Sequence, residues 1–240
     1  MLYWNGSEWV IVAATENDGA TLQMISGLPT WVGGTTPPVD VTNPLTGEVW
    51  MDRNLGASQV ATSSTDYLAY GDLYQWGRAS DGHQTIVWTS STTSNGEEQL
   101  YETTVLSTTD TPGHGYFITN SSSPYDWRSP QNHNLWQGVS GTNNPCPSGY
   151  RIPTEAEWEA ERLSWNTNDV AGAFASPLKL PVAGKRLNGN GSLLHAGFDG
   201  NYWSSTVDGP YSWYLDFYSS NAYMSSGDRV LGTTVRCIKD

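Results

Sequence analysis

The chain has 240 residues and a formal net charge of −13, from eleven Lys and Arg against 24 Asp and Glu. Nucleic-acid affinity rests on clustered cations, so this balance argues against a phosphate-tracking surface, and no run approaches the roughly twenty apolar residues needed to span a bilayer. Twelve Trp and thirteen Tyr against four Phe, with few charges and abundant Gly and Pro, favour short strands and ordered loops over an all-helical fold, with ring N–H and O–H groups hydrogen-bonded inside the core.

The sequence opens without a charged stretch followed by an apolar one, so it is expected to begin as a soluble protein, with a removed signal peptide left open. Leu2 to Val12 reads as a hairpin turned at Asn5-Gly6. It is followed by Gly19 to Met24, a turn at Ser26-Gly27-Leu28-Pro29, and Trp31. Residues 1–38 carry too few apolar side chains for a core of their own, which predicts a β-rich stem that packs on something else. Gly33-Gly34-Thr35-Thr36-Pro37-Pro38 reads as the linker to a large domain over 39–240.

In that domain Val49-Trp50-Met51 and Leu73-Tyr74-Gln75-Trp76 are apolar anchors. Ser90 to Gly141 is rich in Ser, Thr, Asn and Gly, yet Tyr116, Phe117, Trp127 and Trp136 predict an ordered insertion with local core contacts rather than disorder; its strands are left unassigned. Thr154 with Glu157 three residues later forms a capping box that predicts a helix running to about Leu163. Glu155, Glu157 and Glu159 are then first-turn carboxylates stabilised by the helix dipole rather than a catalytic cluster. Asn188-Gly189-Asn190-Gly191-Ser192 is a turn with no strand-loop-helix unit around it, and so no phosphate cradle.

From Gly200 onward apolar and polar residues alternate. Trp213, Leu215 and Phe217 fall on one face of a strand and Tyr214, Asp216 and Tyr218 on the other, so one face is expected to be core and the other open to a ligand. Tyr residues interspersed with Ser, Asn, Asp and Gly give rigid contact area with adaptable hydrogen bonding, as in a paratope. The chain therefore reads first as a binder.

Cys146 and Cys237 lie far apart and are either a long-loop disulfide or two reduced buried thiols; no Cys-x-x-Cys spacing suggests zinc or redox chemistry. His83, His114, His133 and His195 stand beside no nucleophile motif, so no enzyme is expected. Asn166, Asn168 and Asp169, or Asp199 and Asp208, could give oxygen ligands to a structural calcium ion, but neither set has a diagnostic loop spacing, and no cofactor is expected otherwise.

Several blocks occur in a fixed order: Val49-Trp50-Met51-Asp52-Arg53-Asn54-Leu55-Gly56, Tyr70 to Gly77, Cys146 to Trp158, Tyr202-Trp203-Ser204-Ser205-Thr206 and Thr234-Val235-Arg236-Cys237-Ile238. Together they resemble the C-type-lectin-like domains of the formylglycine-generating-enzyme and bacterial paralogous-domain group, over roughly Val39 to Asp240. The resemblance implies an α+β, C-type-lectin-like fold of short antiparallel strands, few short helices and long ordered loops. Within that group residues of about 199–238 resemble the variable region of retroelement-diversified proteins such as phage major tropism determinants. Adenine-mutated Asn codons would yield the Tyr, Ser, Asp, Gly, Ala and Val found between Asp208 and Asp228, while Trp203, Trp213, Leu215, Phe217 and Val235 would stay fixed.

The resemblance implies a receptor-binding adhesin, at a phage tail-fibre tip or on a cell surface. Its contact residues would be Tyr202, Asp208, Tyr211, Tyr214, Asp216, Tyr218, Asn221, Tyr223 and Ser225, and its partner a host cell-surface protein or glycan. Trp4 to Trp9 and Gly27 to Trp31 are similar to segments preceding phage fibre tips, which implies a homotrimer, without nucleic acid or membrane insertion. Alanine at Tyr214, Asp216 and Tyr218 should then abolish adsorption without unfolding the protein. Two other functions compete: a carbohydrate-binding module of a bacterial surface protein, whose Trp and Tyr faces stack on sugar rings, and a divergent formylglycine-generating-type enzyme. For the enzyme, the reactive cysteines of that activity have no counterpart here, since Cys237 lies in the end block.

Overall fold

The computed structural model describes residues 39–240 and, for the backbone alone, 2–4, 9–11, 21–25 and 28–32. The chain divides into two compact units, Met1–Val39 and Asp40–Asp240. In the first, β1 (Leu2–Trp4) pairs antiparallel with β2 (Trp9–Ile11), and β3 (Thr21–Ile25) with β4 (Leu28–Val32). Leu28 and Pro29, expected in a turn, thus open a strand, with Ile25 opposite Leu28. The expected turn at Asn5-Gly6 and the linker at 33–38 lie outside the described residues.

The second unit is β-rich with two short helices, an α+β arrangement. Its strands are β5 (Asp40–Thr42), β6 (Val49–Met51), β7 (Leu73–Gln75), β8 (Glu102–Thr103), β9 (Phe117–Ile118), β10 (Tyr150–Arg151), β11 (Lys185–Arg186), β12 (Leu193–Leu194), β13 (Gly200–Asp208), β14 (Tyr211–Tyr218), β15 (Asn221–Asp228), β16 (Gly232–Thr234) and β17 (Ile238–Lys239). Between them stand α1 (Glu155–Leu163) and α2 (Val170–Ala175). The main sheet runs β12-β11-β16-β13-β14-β15 with β7 paired along the whole of β16, and a smaller sheet runs β10-β17-β6-β5.

Local chemistry fixes these elements. The Thr154 side chain accepts the Glu157 N–H while the Glu157 carboxylate accepts the Thr154 N–H, closing the capping box that starts α1, and Asp169 caps α2 through the Gly172 N–H. Gly209, at φ +56°, turns β13 into β14 in a backbone region that glycine enters at little cost. Gly200 is required for a different reason: a Cβ there would stand 2.1 Å from the Phe217 ring.

Two aromatic clusters flank the β13–β15 meander. On one side Trp50, Trp158, Tyr202, Leu215 and Phe217 pack beneath the helices. On the other, Trp76, Trp127, Trp136, Trp203, Tyr214 and Val235 form the larger cluster. Four of the indole N–H groups bond to backbone oxygens: Trp76 to Ser204, Trp203 to Tyr74, Trp127 to Trp76 and Trp158 to Trp203. One of those bonds, from Trp127, comes from the insertion at 90–141, and Gln75 also donates to the Ile118 carbonyl. The insertion is therefore ordered, and its strands, left unassigned in the sequence, are β8 and β9.

Candidate binding surface

The blocks singled out in the sequence meet in one hydrogen-bonded centre. Arg236, fully buried, donates Nε to Asn54 Oδ1 at 2.9 Å and Nη1 to the Met51 and Leu178 carbonyls. Asn54 in turn donates to the Ala69 and Tyr70 carbonyls and to the Tyr202 hydroxyl. Cys146 and Cys237 are joined in a disulfide that ties the loop before α1 to the last strands. At Trp203 to Val207 the register of β13 shifts in a bulge, where the Ser205 N–H reaches the Pro153 carbonyl and Thr206 Oγ1 accepts the Glu155 N–H at the start of α1. The meander is thus clamped to the rest of the domain at one end.

The expected contact residues do not form one patch. Tyr202 is wholly buried: it sits opposite Leu215 in the register, stacks on Phe217 with centroids 5.7 Å apart, and donates to the Pro181 carbonyl at 2.7 Å. Burial pushes its phenol pKa well up. Tyr214, only 6% exposed, packs edge-on against Trp203 and lies 5.7 Å from the Lys185 ammonium. Burial likewise raises its pKa, and its hydroxyl bonds to Ser225. Asp216 is also buried; it accepts Asn201 Nδ2 at 3.0 Å and bonds to Tyr223, and burial raises its carboxyl pKa against the pull of Lys185. The expectation of an open Tyr214/Asp216/Tyr218 face fails at Tyr214 and Asp216, which these contacts seal, and leaves only Tyr218 half-buried at the strand end. Conversely Trp213, expected in the core, is half-buried.

Asp208 and Tyr211 are half-buried and pair with each other at the far end of the hairpin. Seven residues of strand separate Tyr211 from Tyr218, about 23 Å at 3.3 Å per residue, and the Tyr211 ring lies against Tyr125 instead. The same arithmetic parts the calcium candidates: Asp199 and Asp208 flank the length of β13. Asp199 is held by His195 Nδ1 at 2.5 Å, while Asn168 is engaged with Arg162 and Asn221 and Asp169 caps α2. Among the described residues no group of three or more His, Cys, Asp or Glu is arranged to hold a metal ion.

What the fold does bring together lies at the β14–β15 turn. Tyr218 and Tyr223, the latter 38% exposed, stand edge to face at 6.3 Å. Asn221 is exposed beside them, and Ser225 is half-buried next to Tyr214. A cleft of about 430 Å³ adjoins Tyr218 and is lined by Ser219, His195, Asp199 and Phe198, whose ring is 65% exposed. Phe198 escaped the sequence reading because it precedes the alternating stretch. Its signal was an aromatic set between Gly197 and Asp199-Gly200, where a buried strand would not be expected.

No protein-family model matches the chain, and no curated protein or solved structure matches it.

Proposed function

We propose that this protein is a receptor-binding adhesin whose C-type-lectin-like domain presents a changeable aromatic patch at the β14–β15 turn, made by Phe198, Tyr218, Asn221 and Tyr223. The observation that carries this reading is the contrast within one meander. Its middle is sealed by Trp203, Tyr214, Leu215 and Phe217, whereas its turn end exposes rings beside a cleft. Exposed Tyr and Phe beside Asn and Asp supply contact area at low entropic cost, and the clamped frame lets those side chains change without moving the core. The resemblance of the ordered blocks supports the same reading, as does their convergence on Arg236, Asn54 and the bulge. It extends to a retroelement-diversified variable region, a homotrimer formed through residues 1–38, and a place on a virion fibre tip or a cell surface. Binding a host protein or glycan, with no catalysis and no cofactor, is the activity proposed.

The test is adsorption of the labelled full chain to a panel of bacterial cells. The triple variant Phe198→Ala, Tyr218→Ala, Tyr223→Ala loses adsorption while keeping its thermal transition. Undiminished adsorption by a folded triple variant rejects the assignment.

A further inference from the structure

A second concavity, of about 300 Å³, opens where the 82–87 segment meets the insertion. Its floor is backbone: a Cβ on Gly115 would lie 2.7 Å from the Asp81 carbonyl and 3.3 Å from Gly82 Cα, so there is no room for a side chain at Gly115. One wall is the ring of His83, held from both sides. Its Nδ1 meets Asp81 Oδ1 at 2.6 Å and its Nε2 accepts the Gln75 N–H at 3.0 Å. Burial, with the charge of Arg78 nearby, drives its pKa down to about 4, so near neutral pH the wall is an uncharged ring.

Arg186 reaches the pocket but does not make it an anion site. Its guanidinium lies 3.7 Å over the Phe117 ring, donates to the Gly191 and His83 carbonyls, and is paired with Glu102 at 3.2 Å. The charge is thus already countered and its donors are directed into the protein. At the mouth the arrangement changes. Tyr101 and Tyr116 are 57% and 46% exposed, with rings near parallel, 27° apart, and centroids at 6.1 Å. Tyr116 is held in place by its N–H bond to His114 Nδ1 and by the His114 ring at 5.2 Å. Exposed Thr85, Asn95 and Glu97 complete the rim.

A ligand for such a site needs an apolar flat face for the tyrosines, several hydroxyl groups that both donate and accept, and no negative charge. The size falls at the low end of small-molecule sites, about 300–1,000 Å³. Phosphates and nucleotides are disfavoured by the neutralised Arg186, by Glu97 at the rim and by the chain's net charge of −13. Exposed paired aromatics beside polar side chains are the surface that soluble proteins keep for recognition.

We propose that this pocket binds a neutral saccharide, one ring laid on Tyr101 and Tyr116 and its hydroxyls hydrogen-bonded to Thr85, Asn95 and Glu97. The site is separate from the β14–β15 patch and lies between the 82–87 segment and the insertion.

The test uses the full chain in saturation-transfer NMR and calorimetry with glucose, galactose, mannose, N-acetylglucosamine and the disaccharides cellobiose, lactose, maltose and chitobiose, with adenosine as the flat-ring control. At least one saccharide binds, with transfer strongest at its C–H face. The variant Tyr101→Ala, Tyr116→Ala weakens that binding at least tenfold with an unchanged thermal transition, and Asn95→Ala weakens it without touching the rings. Tyr218→Ala leaves it unaffected, which separates failure here from failure of the adhesin reading. The proposal is overturned if no saccharide in the panel binds, if binding survives in the folded double variant, or if adenosine binds in their place.

Discussion

Replacing Tyr214 and Tyr218 by alanine separates frame from display within a single strand. Tyr214 is almost wholly buried, packed edge-on against Trp203 at 5.6 Å and hydrogen-bonded to Ser225. Truncating a buried aromatic to alanine costs about 3–5 kcal/mol, of which the ring pair accounts for about 0.5–1.5 kcal/mol. With an m-value of about 2–3 kcal/mol/M in urea, Tyr214→Ala moves the unfolding midpoint down by about 1–2.5 M. Tyr218 is half-buried and its main ring contact is Tyr223, so Tyr218→Ala costs no more than about 1.5 kcal/mol, under about 0.7 M. Equilibrium urea unfolding followed by Trp fluorescence measures both. A Tyr214→Ala midpoint within about 0.3 M of wild type, by the same m-value scale, or a larger loss at Tyr218 than at Tyr214, would refute the assignment of Tyr214 to the frame.

Other perturbations probe the frame elsewhere. Reducing the Cys146–Cys237 disulfide, which spans 91 residues of sequence, should destabilise the domain by about 4–5 kcal/mol on the loop-entropy estimate; an unchanged urea midpoint in dithiothreitol contradicts this. Gly200→Ala forces a methyl into the Phe217 ring and should cost at least the 1–3 kcal/mol of an overpacked core, roughly speaking, read as a lower thermal midpoint, whereas Gly209→Ala meets no atom within 4 Å and is limited to its backbone strain. His83 is kept neutral in the folded state, with its pKa near 4 against 6.5 unfolded. The unfolded chain therefore binds the extra proton, and this contribution is complete above pH 6.5 and lost as pH falls to 4. Wild type should lose about 3 kcal/mol more than His83→Gln across that window, and parallel stability curves would count against it. Light scattering should give three times the 26.3 kDa chain mass; a monomer removes the trimer.

Much of the frame was legible because its signals are local. Thr154 and Glu157 announce a capping box from spacing alone, and the excess of Trp over Phe announces rings whose N–H groups need partners, which the Trp76, Trp127, Trp158 and Trp203 bonds supply. Alternation in β14 was legible too, but its meaning was not. Period two says that Leu215 and Tyr214 point to opposite faces, not that either face meets solvent. Tyr214 and Asp216 are buried because residues of other elements close over them, Trp203, Lys185 and Ser225 on Tyr214 and Asn201 and Tyr223 on Asp216. Tyr202 failed for the same kind of reason, since its place opposite Leu215 follows from the register with β14 and not from its own neighbours. Phe198 and the Tyr101–Tyr116 pair were missed because exposure of an aromatic ring is a property of the tertiary arrangement and leaves no periodic trace.

The adhesin proposed here carries interchangeable side chains on a fixed frame at the β14–β15 turn. It is tested most directly by a displayed library that randomises Phe198, Tyr218, Asn221 and Tyr223, sorted first for protease resistance and then for binding to an unrelated protein such as hen-egg lysozyme. Most members are expected to stay folded and to yield target-specific binders, while a matched library at Tyr202, Tyr214, Leu215 and Phe217 yields mostly unfolded chains. A turn-end library that unfolds as often as the core library, or that folds and yields no binder, would contradict it.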